Sequence, residues 1–490
     1  MRIPLRASMF GMILLAAGNG YSDTIPEKLN LSRKDAVSMA ISKNIDLHYE
    51  ALNSSIAEKD LAKSRGIYRP VFNASAVGGV SATPGDTFSA KSTTESIGLA
   101  QGLPTGGTVT ATYLTGYTNA DVVVPGVPSK EWQSSVGVLV SQPLLKNFGK
   151  ETTELNITLA ASALQDSLER LRFATTDTIF SVITTYNRLY TQRQLLEAKA
   201  AGMKSVQDLL DEIKKKEKPG PQQGMEIANA EFAIAQRQKE LVDAERNVRD
   251  TEAGLLYLIG MEAKTQIVPT DPPLREEPPE TEEQAVKAAM ELRPDLKQVR
   301  QALKTSQLQE RVSRRQTRPD LSVTGGGGVY GVGDTIGNTF QQTAGWWSAG
   351  MQFSYPLGNT AAENEYLKSK MKTEQVQYQL QAFEWKIRNE VEADMRALIS
   401  ARLQLKTTDN ALQSAEQRHG EYLKHQRAGT ATVQDVINAG NDLTFAHNAQ
   451  MEAVESFAFA VTKLWRDTGA LLDHQGVQID TSKPGTPAPQ

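Results

Sequence analysis

Arg427-Ala428-Gly429-Thr430-Ala431-Thr432-Val433-Gln434-Asp435-Val436-Ile437-Asn438-Ala439-Gly440-Asn441-Asp442-Leu443 separates two long polar stretches of helical character, 361–428 and 431–472. Glycine takes the left-handed conformation that ends a helix, and a threonine after it can cap the next one. The segment therefore predicts one sharp helical hairpin. A degenerate copy occurs earlier: Glu226, Ile227 and Ala230 follow Gly220 at the offsets at which Asp435, Val436 and Ala439 follow Gly429. Two helical tips, each with one acidic position, imply an internal duplication.

The duplication extends outward from the tips. Ala36-Val37 recurs as Ala285-Val286, Asp46-Leu47 as Asp295-Leu296 and Arg69-Pro70 as Arg318-Pro319, all at the offset 319 − 70 = 249. Gln142-Pro143-Leu144 corresponds to Tyr355-Pro356-Leu357, where the offset is 356 − 143 = 213. The first half thus carries 249 − 213 = 36 extra residues between its Arg-Pro and its Pro-Leu.

The stretch between those two landmarks is β-patterned in both halves. Trp347, Ala349, Met351, Phe353 and Tyr355 alternate with Ser348, Gly350, Gln352 and Ser354, which gives a strand one apolar and one polar face. Leu321–Val332 is its expected partner. In the first half Val71–Ser81 opens a sheet, and Val136, Val138 and Val140 alternate with Ser135, Gly137 and Ser141. The extra 36 residues fit two further strands, Ser96–Leu103 and Thr108–Tyr117, around the turn signal Pro104-Thr105-Gly106-Gly107. Strands of about 9–12 residues are long enough to cross a bilayer at a tilt. Trp132, Trp346 and Trp347, near strand starts, fit an interfacial aromatic girdle.

The remaining segments are long helices. Segment 153–217 has no proline, and Val182, Tyr186, Leu189, Leu196, Met203 and Leu210 keep a coiled-coil-like spacing. At 1.5 Å per residue it would extend about 98 Å. The returning segment 225–260 is shorter, and adding 46–67 restores the length. The second half repeats this with 361–428 against 431–470 plus 295–317. One long helix flanked by two stacked shorter ones is the expected arrangement.

Composition narrows the function. Among 490 residues the net charge is −4 and there is no cysteine, which excludes disulfides, thiolate metal sites and an acylated N-terminal cysteine. Mean hydropathy of −0.40 excludes a polytopic helical membrane protein. No basic stripe points to nucleic acid. His48, His419, His425, His447 and His474 lack metal-ligand spacing. Gly326, Gly328 and Gly331 spell GxGxxG, but no helix follows, which argues against a nucleotide site. No catalytic constellation stands out, so the expectation is no enzyme, no cofactor and no metal. Residues 1–22, with Arg2 and Arg6 before a short apolar run, read as a secretory signal peptide.

In their order, duplication and spacing these segments resemble the TolC-type outer-membrane efflux proteins. The residues that carry the likeness are Ala36-Val37, Asp46-Leu47, Arg69-Pro70, Gln142-Pro143-Leu144-Leu145, Gly429-Thr430 with Asp435-Val436, and the helix ends 254–260 and 464–471. The implied fold is mainly α with membrane β: two repeats of long coiled-coil helices plus strands, forming a trimeric β-barrel and a periplasmic α-helical barrel. Its place would be the Gram-negative outer membrane. Its partners would be two further copies, outer-membrane lipid, a periplasmic adaptor (membrane fusion) protein and an inner-membrane pump. Its role would be the passive exit duct of a tripartite efflux pump or type I secretion system. The expected division is a first repeat at 23–260 (strands about 70–143, helices 153–217 and 225–260), a Pro/Glu-rich linker at 261–283, a second repeat at 284–472 (strands about 320–357, helices 361–428 and 431–472) and a disordered tail at 473–490. A single chain with four to six strands cannot seal a barrel against lipid, which requires oligomerisation on physical grounds alone.

The resemblance also assigns the tips. Acidic residues just past the second tip narrow the periplasmic mouth in this family. Asp435 matches the first such position, Asn438 stands at the second, and Asp442 follows one heptad after Asp435. Glu226 is the first-half counterpart. The alternative for Asp435 is a first-turn acid that favours the helix dipole. Gly220, Gly429 and Thr430 are the expected adaptor-docking positions. Family members usually give four strands per chain where this one predicts six. They often have a tyrosine three residues before the second tip's glycine, where this chain has Gln426, so a different closing network is expected. The competing reading is a non-conducting envelope protein with a helical periplasmic stalk.

Overall fold

The computed structural model describes residues 28–82, 89–120, 130–215, 221–262, 265–275 and 281–477. The expected signal peptide lies outside them. The first repeat runs β1 (Lys28–Leu31), α1 (Arg33–Lys43), α2 (Ile45–Ser64), β2 (Val71–Ala82), β3 (Ser89–Gly102), β4 (Thr108–Ala120), β5 (Lys130–Pro143), α3 (Lys150–Thr153), α4 (Leu155–Lys214) and α5 (Pro221–Leu258). After β6 (Gln266–Pro269) the second runs α6 (Glu282–Leu292), α7 (Pro294–Gln316), β7 (Asp320–Gly333), β8 (Thr343–Ser354), α8 (Thr360–Arg427), α9 (Val433–Thr468) and α10 (Leu471–His474). The starts of α1 and α6 are 282 − 33 = 249 residues apart, the same offset as the sequence pairs.

Local chemistry sets the helix boundaries. The Ser32 hydroxyl accepts from the Asp35 N–H at 3.1 Å, and Asn44 Oδ1 accepts from Leu47 N–H at 3.1 Å, so each opens a helix. Thr281 and Gln284 form a reciprocal capping box at α6. Gly469, at φ +78°, ends α9 earlier than the expected boundary at 472, and α10 restarts after it. The shorter helices meet end to end. Asn44 Nδ2 donates to Leu258 O at 3.0 Å where α5 ends and α2 begins. Arg293 Nη1 donates to Asp467 O at 3.4 Å at the equivalent junction of α9 and α7. The long helix of each repeat, α4 or α8, packs against both of its shorter partners.

The linker differs from expectation. Pro269 and its neighbours exclude helix, but β6 pairs in parallel with β1, from Lys28↔Gln266 to Leu31↔Pro269. Ile267 is fully buried. The Tyr186 hydroxyl on α4 donates to Leu31 O at 2.9 Å and accepts from Asp271 N–H at 2.9 Å, fixing the small sheet to the long helix. The segment is therefore a structural clip and not simply an exposed crossover. The start of the expected tail is also ordered: His474 stacks on Trp465 at 4.3 Å between ring centroids, and Val477 packs on the core. Residues 478–490 lie outside the described residues.

One buried polar cluster couples α8 to α9. Asp394, 3% exposed, pairs with Lys463 and faces Asp467. Burial and the neighbouring Asp467 carboxylate push the Asp394 carboxyl up to about 6, against the pull of Lys463. Burial alone would also raise Asp467, but the hydrogen bond from Asp394 and the charges of Arg466 and Lys463 outweigh it and hold Asp467 low. Asp394 thus keeps a proton in the folded chain that the unfolded chain loses near pH 4. The folded state binds more protons between about pH 4 and 6, so stability falls as pH rises through that window. Asp467 contributes in the opposite sense, and only in more acidic solution. Asn in place of Asp394 keeps the neutral shape with no proton to lose. The melting temperature of the parent should therefore drop relative to Asp394→Asn between pH 5 and 7.5; parallel melting curves would refute the shared proton.

The other six strands form one antiparallel sheet in the order β2-β3-β4-β5-β7-β8. The extra residues of the first repeat are β3 and β4, inserted between β2 and β5, and both belong to the same sheet as the rest. Register fixes the faces. One row across the sheet is Phe72, Leu99, Ala111, Val138, Gly327, Trp347, and the next is Ala74, Ile97, Tyr113, Val136, Val329, Gly345. Phe72, Leu99, Val138 and Trp347 are all exposed. The opposite face carries Ser75, Ser96, Thr112, Ser135 and Thr324 among glycines. Trp346 is a correction to the expected girdle. It lies on this polar face and leans toward Gly137, where an added Cβ would come within 2.5 Å of the indole. Trp132 packs at a tilt against Tyr117, with ring centroids 5.0 Å apart, near the strand ends. Trp347 sits in the middle of the apolar face.

Candidate functional site

The second tip is a sequence of backbone caps. Gly429 takes φ +79°, with its N–H on Gln426 O at 3.0 Å, while Thr430 N–H reaches His425 O at 2.9 Å. These are the two bonds of a Schellman motif, which satisfies the last carbonyls of α8. Among the described residues no neighbouring atom lies within 4 Å of a Cβ added to Gly429, so there only the positive φ restricts that position. Thr430 is committed to the turn through its hydroxyl, 3.0 Å from His425 Nδ1. Thr432 then opens α9. Its Oγ1 accepts from Asp435 N–H at 3.1 Å, and Asp435 Oδ2 accepts from Thr432 N–H at 2.9 Å and from its hydroxyl at 2.6 Å.

Asp435 therefore closes a capping box, a role more specific than the first-turn acid favouring the helix dipole that was weighed for it in the sequence. Those hydrogen bonds hold its carboxyl below the usual aspartate range, so it is an anion at neutral pH. Asn438 and Asp442 are exposed, and Val436, Ile437 and Gly440 are buried on the other side of α9. Asn438 accepts from Gln434 Nε2 at 2.9 Å. Asp442 is not a free charge: it pairs with Arg418 on α8. Of the three positions grouped in the sequence, only Asp435 presents an anion without a cationic partner among the described residues.

The first tip's Gly220 lies outside the described residues. Glu226 is half-buried on the first turns of α5, and its neighbour Ile227 packs against the cluster of Val206, Leu209, Ile213, Ala230, Val433 and Val436. That cluster brings the two hairpins side by side near their tips. Gln426 is buried, with its Oε1 unpartnered among the described residues.

A second tie between the hairpins was missed in the sequence. Arg237 on α5 is 8% exposed and donates to Asn441 Oδ1 at 3.1 Å and to Thr444 Oγ1 at 3.5 Å, both on α9. Its signal is readable in retrospect. Arg237 continues the buried stripe of Ala230, Ala233, Ala244 and Val248 at heptad spacing, a position that ordinarily holds an apolar side chain.

Residues 285–470 match the outer membrane efflux protein family. The chain is 21% identical over 363 residues to the outer membrane efflux protein BepC of Brucella suis, covering 73% of this chain and 77% of that one. Among solved structures it is similar to the outer-membrane channel OprN, with TM-score 0.68 at 13% identity, covering 89% of this chain and 90% of that one. It is also similar to the open state of the MtrE outer membrane channel of Neisseria gonorrhoeae, with TM-score 0.66 at 16% identity, covering 90% and 89%. The chain therefore shares the helical and β fold of these proteins, with the sheet and the Gly429 tip at opposite ends of α8.

Proposed function

We propose the role of passive exit duct, on the match of residues 285–470 to the outer membrane efflux protein family: three copies pool their strands into one barrel, and their helices form a periplasmic tunnel that docks at its tips on an adaptor and an inner-membrane pump. The observation that carries this reading is the sheet, with one face largely apolar apart from Lys91, Glu95 and Lys130, one face rich in Ser, Thr and Gly and, among the described residues, two unpaired edges, β2 and β8. Open edges are not tolerated in lipid. β2 and β8 run in opposite directions, so β8 of one copy and β2 of the next meet antiparallel, as in barrels of even strand number. Three copies give 18 strands, against the 12 expected from four per chain. In this arrangement the Ser/Thr/Gly face, with Glu131 and Asp320 near its strand ends, lines a wide lumen, and the narrow point is at the tips.

At that narrow point the anion is Asp435. In a trimer three such anions would ring the mouth, and rings of like charge attract and retain cations. Asp435→Asn preserves the acceptor for Thr432 N–H while removing the charge, which separates the capping role from the pore role. Single-channel recordings of the variant should show weaker block by divalent cations than the parent; identical block would remove Asp435 from the mouth. Gly429 and Thr430 offer a tight turn that an adaptor can approach closely, with Gly220 as the counterpart. Conductance of the purified trimer in planar bilayers tests the duct itself. A non-conducting trimer would favour the alternative of a structural stalk.

A further inference from the structure

Arg237 borders a partly open cavity of about 350 Å³ between α4, α5, α8 and α9. Its walls are largely apolar: Leu195, Ala198, Val206, Leu209, Ile437 and Leu443. The guanidinium makes only the two bonds to neutral oxygens described above, and its Nε is sealed from solvent without a partner. No carboxylate pairs with it among the described residues. Burial pulls its pKa down, against a through-space pull from Glu240, which makes no hydrogen bond to it. A buried cation without a counter-ion is costly, and removing it from water is repaid only by close, hydrogen-bonded negative charge. Glycines at 202 and 440 leave the space it occupies: an added Cβ would lie 2.6 Å from Nη1 and 3.2 Å from Nη2.

Two more polar atoms on the cavity wall are unpartnered, His447 Nδ1 and Asn448 Oδ1. Either end of the Asn448 amide can be turned inward. His419, also on the wall, is held neutral by burial and by the charge of Arg237. Lys199 and Glu416 complete the charged lining and oppose each other in sign, so the added positive charge comes from Arg237 alone.

We infer that this cavity is a binding site for a small organic monoanion, a carboxylate on an apolar body, with the carboxylate on Arg237 and the body against the aliphatic walls. Glu416 disfavours a second negative charge. A ligand seated there touches α5 and α9 together and ties the two hairpins to each other. The cavity is formed within one chain, so the inference does not rest on conductance, though the sample tested is the trimer proposed above.

The test uses the full chain as a trimer in lipid nanodiscs, with 4-fluorobenzoate followed by fluorine NMR and empty nanodiscs as the blank. The parent should show saturable binding, and 4-fluorobenzyl alcohol, the same body without charge, should bind about tenfold or more weakly. Arg237→Gln should lose binding by a similar factor and Arg237→Lys by less. Ala198→Trp, which keeps Arg237 but fills the cavity, should lose it as well. Each variant is compared only after its trimer elutes like the parent. Unsaturable binding to the parent, equal binding of the alcohol, or undiminished binding by either Arg237→Gln or Ala198→Trp would overturn the assignment.

Discussion

Val138→Arg should abolish recovery of folded trimer from the outer membrane, while Thr112→Arg should be tolerated. The two residues are on neighbouring strands, where Val138 pairs with Ala111 and Thr112 with Gly137, but they face opposite ways. Val138 lies in the row Phe72, Leu99, Ala111, Val138, Gly327, Trp347, the middle of the apolar face. An arginine at the midplane of a lipid-facing barrel surface costs about 2–4 kcal/mol, and a trimer would carry three, for about 6–12 kcal/mol in all. That is comparable to the whole stability of an ordinary domain. Thr112 pairs with Gly98 and Gly137, which leave room, and its face would be wet. An arginine there should insert and shift ion selectivity toward anions. Heat-modifiable trimer bands from outer-membrane fractions read the first outcome, and reversal potentials in bilayers read the second. Equal recovery of both variants would mean that the apolar face does not meet lipid.

Excising the extra hairpin should narrow the barrel without destroying it. β2 ends at Ala82 and β5 starts at Lys130 at the same edge of the sheet, so replacing 83–129 with a short turn joins them as a direct hairpin. The even-numbered residues of both strands already point to the apolar face, so the join keeps inside and outside in register. The result is four strands per chain, the pattern of which β7 and β8 are half. Barrel diameter grows roughly linearly with strand number, so 12 strands in place of 18 should reduce the cross-section to about four-ninths. Sized polyethylene glycols added from the barrel side should be excluded at a smaller radius than in the parent. An unchanged cut-off would put β3 and β4 outside the pore wall.

Much of this architecture can be read from the chain because it is written twice. The constant offset from Ala36 to Arg69 and its later shortfall locate the inserted hairpin, and the alternation at Val109, Ala111 and Tyr113 assigns it to strands. The Pro104–Gly107 turn closes as its residues demand, with Gly106 at φ +89° and Leu103 N–H on Gly107 O at 2.8 Å. Features set by distant partners were not legible. β1 and β6 are four residues each, too short for a period, and Leu31 meets Pro269 across 269 − 31 = 238 positions. The partner of Asp442 is an arginine on the opposite helix, so spacing within α9 could not show that its charge is answered. Trp346 and Trp347 are adjacent, and only strand register decides which one faces the polar side. Arg237 had a signal, a cation in an apolar stripe, but its two acceptors lie more than 200 positions away on α9.

The shared barrel is most directly tested by cryo-electron microscopy of the full chain in lipid nanodiscs. The predicted result is a three-fold particle with 18 strands in the bilayer and β8 of each copy hydrogen-bonded to β2 of the next. A membrane wall of 12 strands with β3 and β4 folded outside it, or a chain that seals its own sheet without neighbours, would contradict the account.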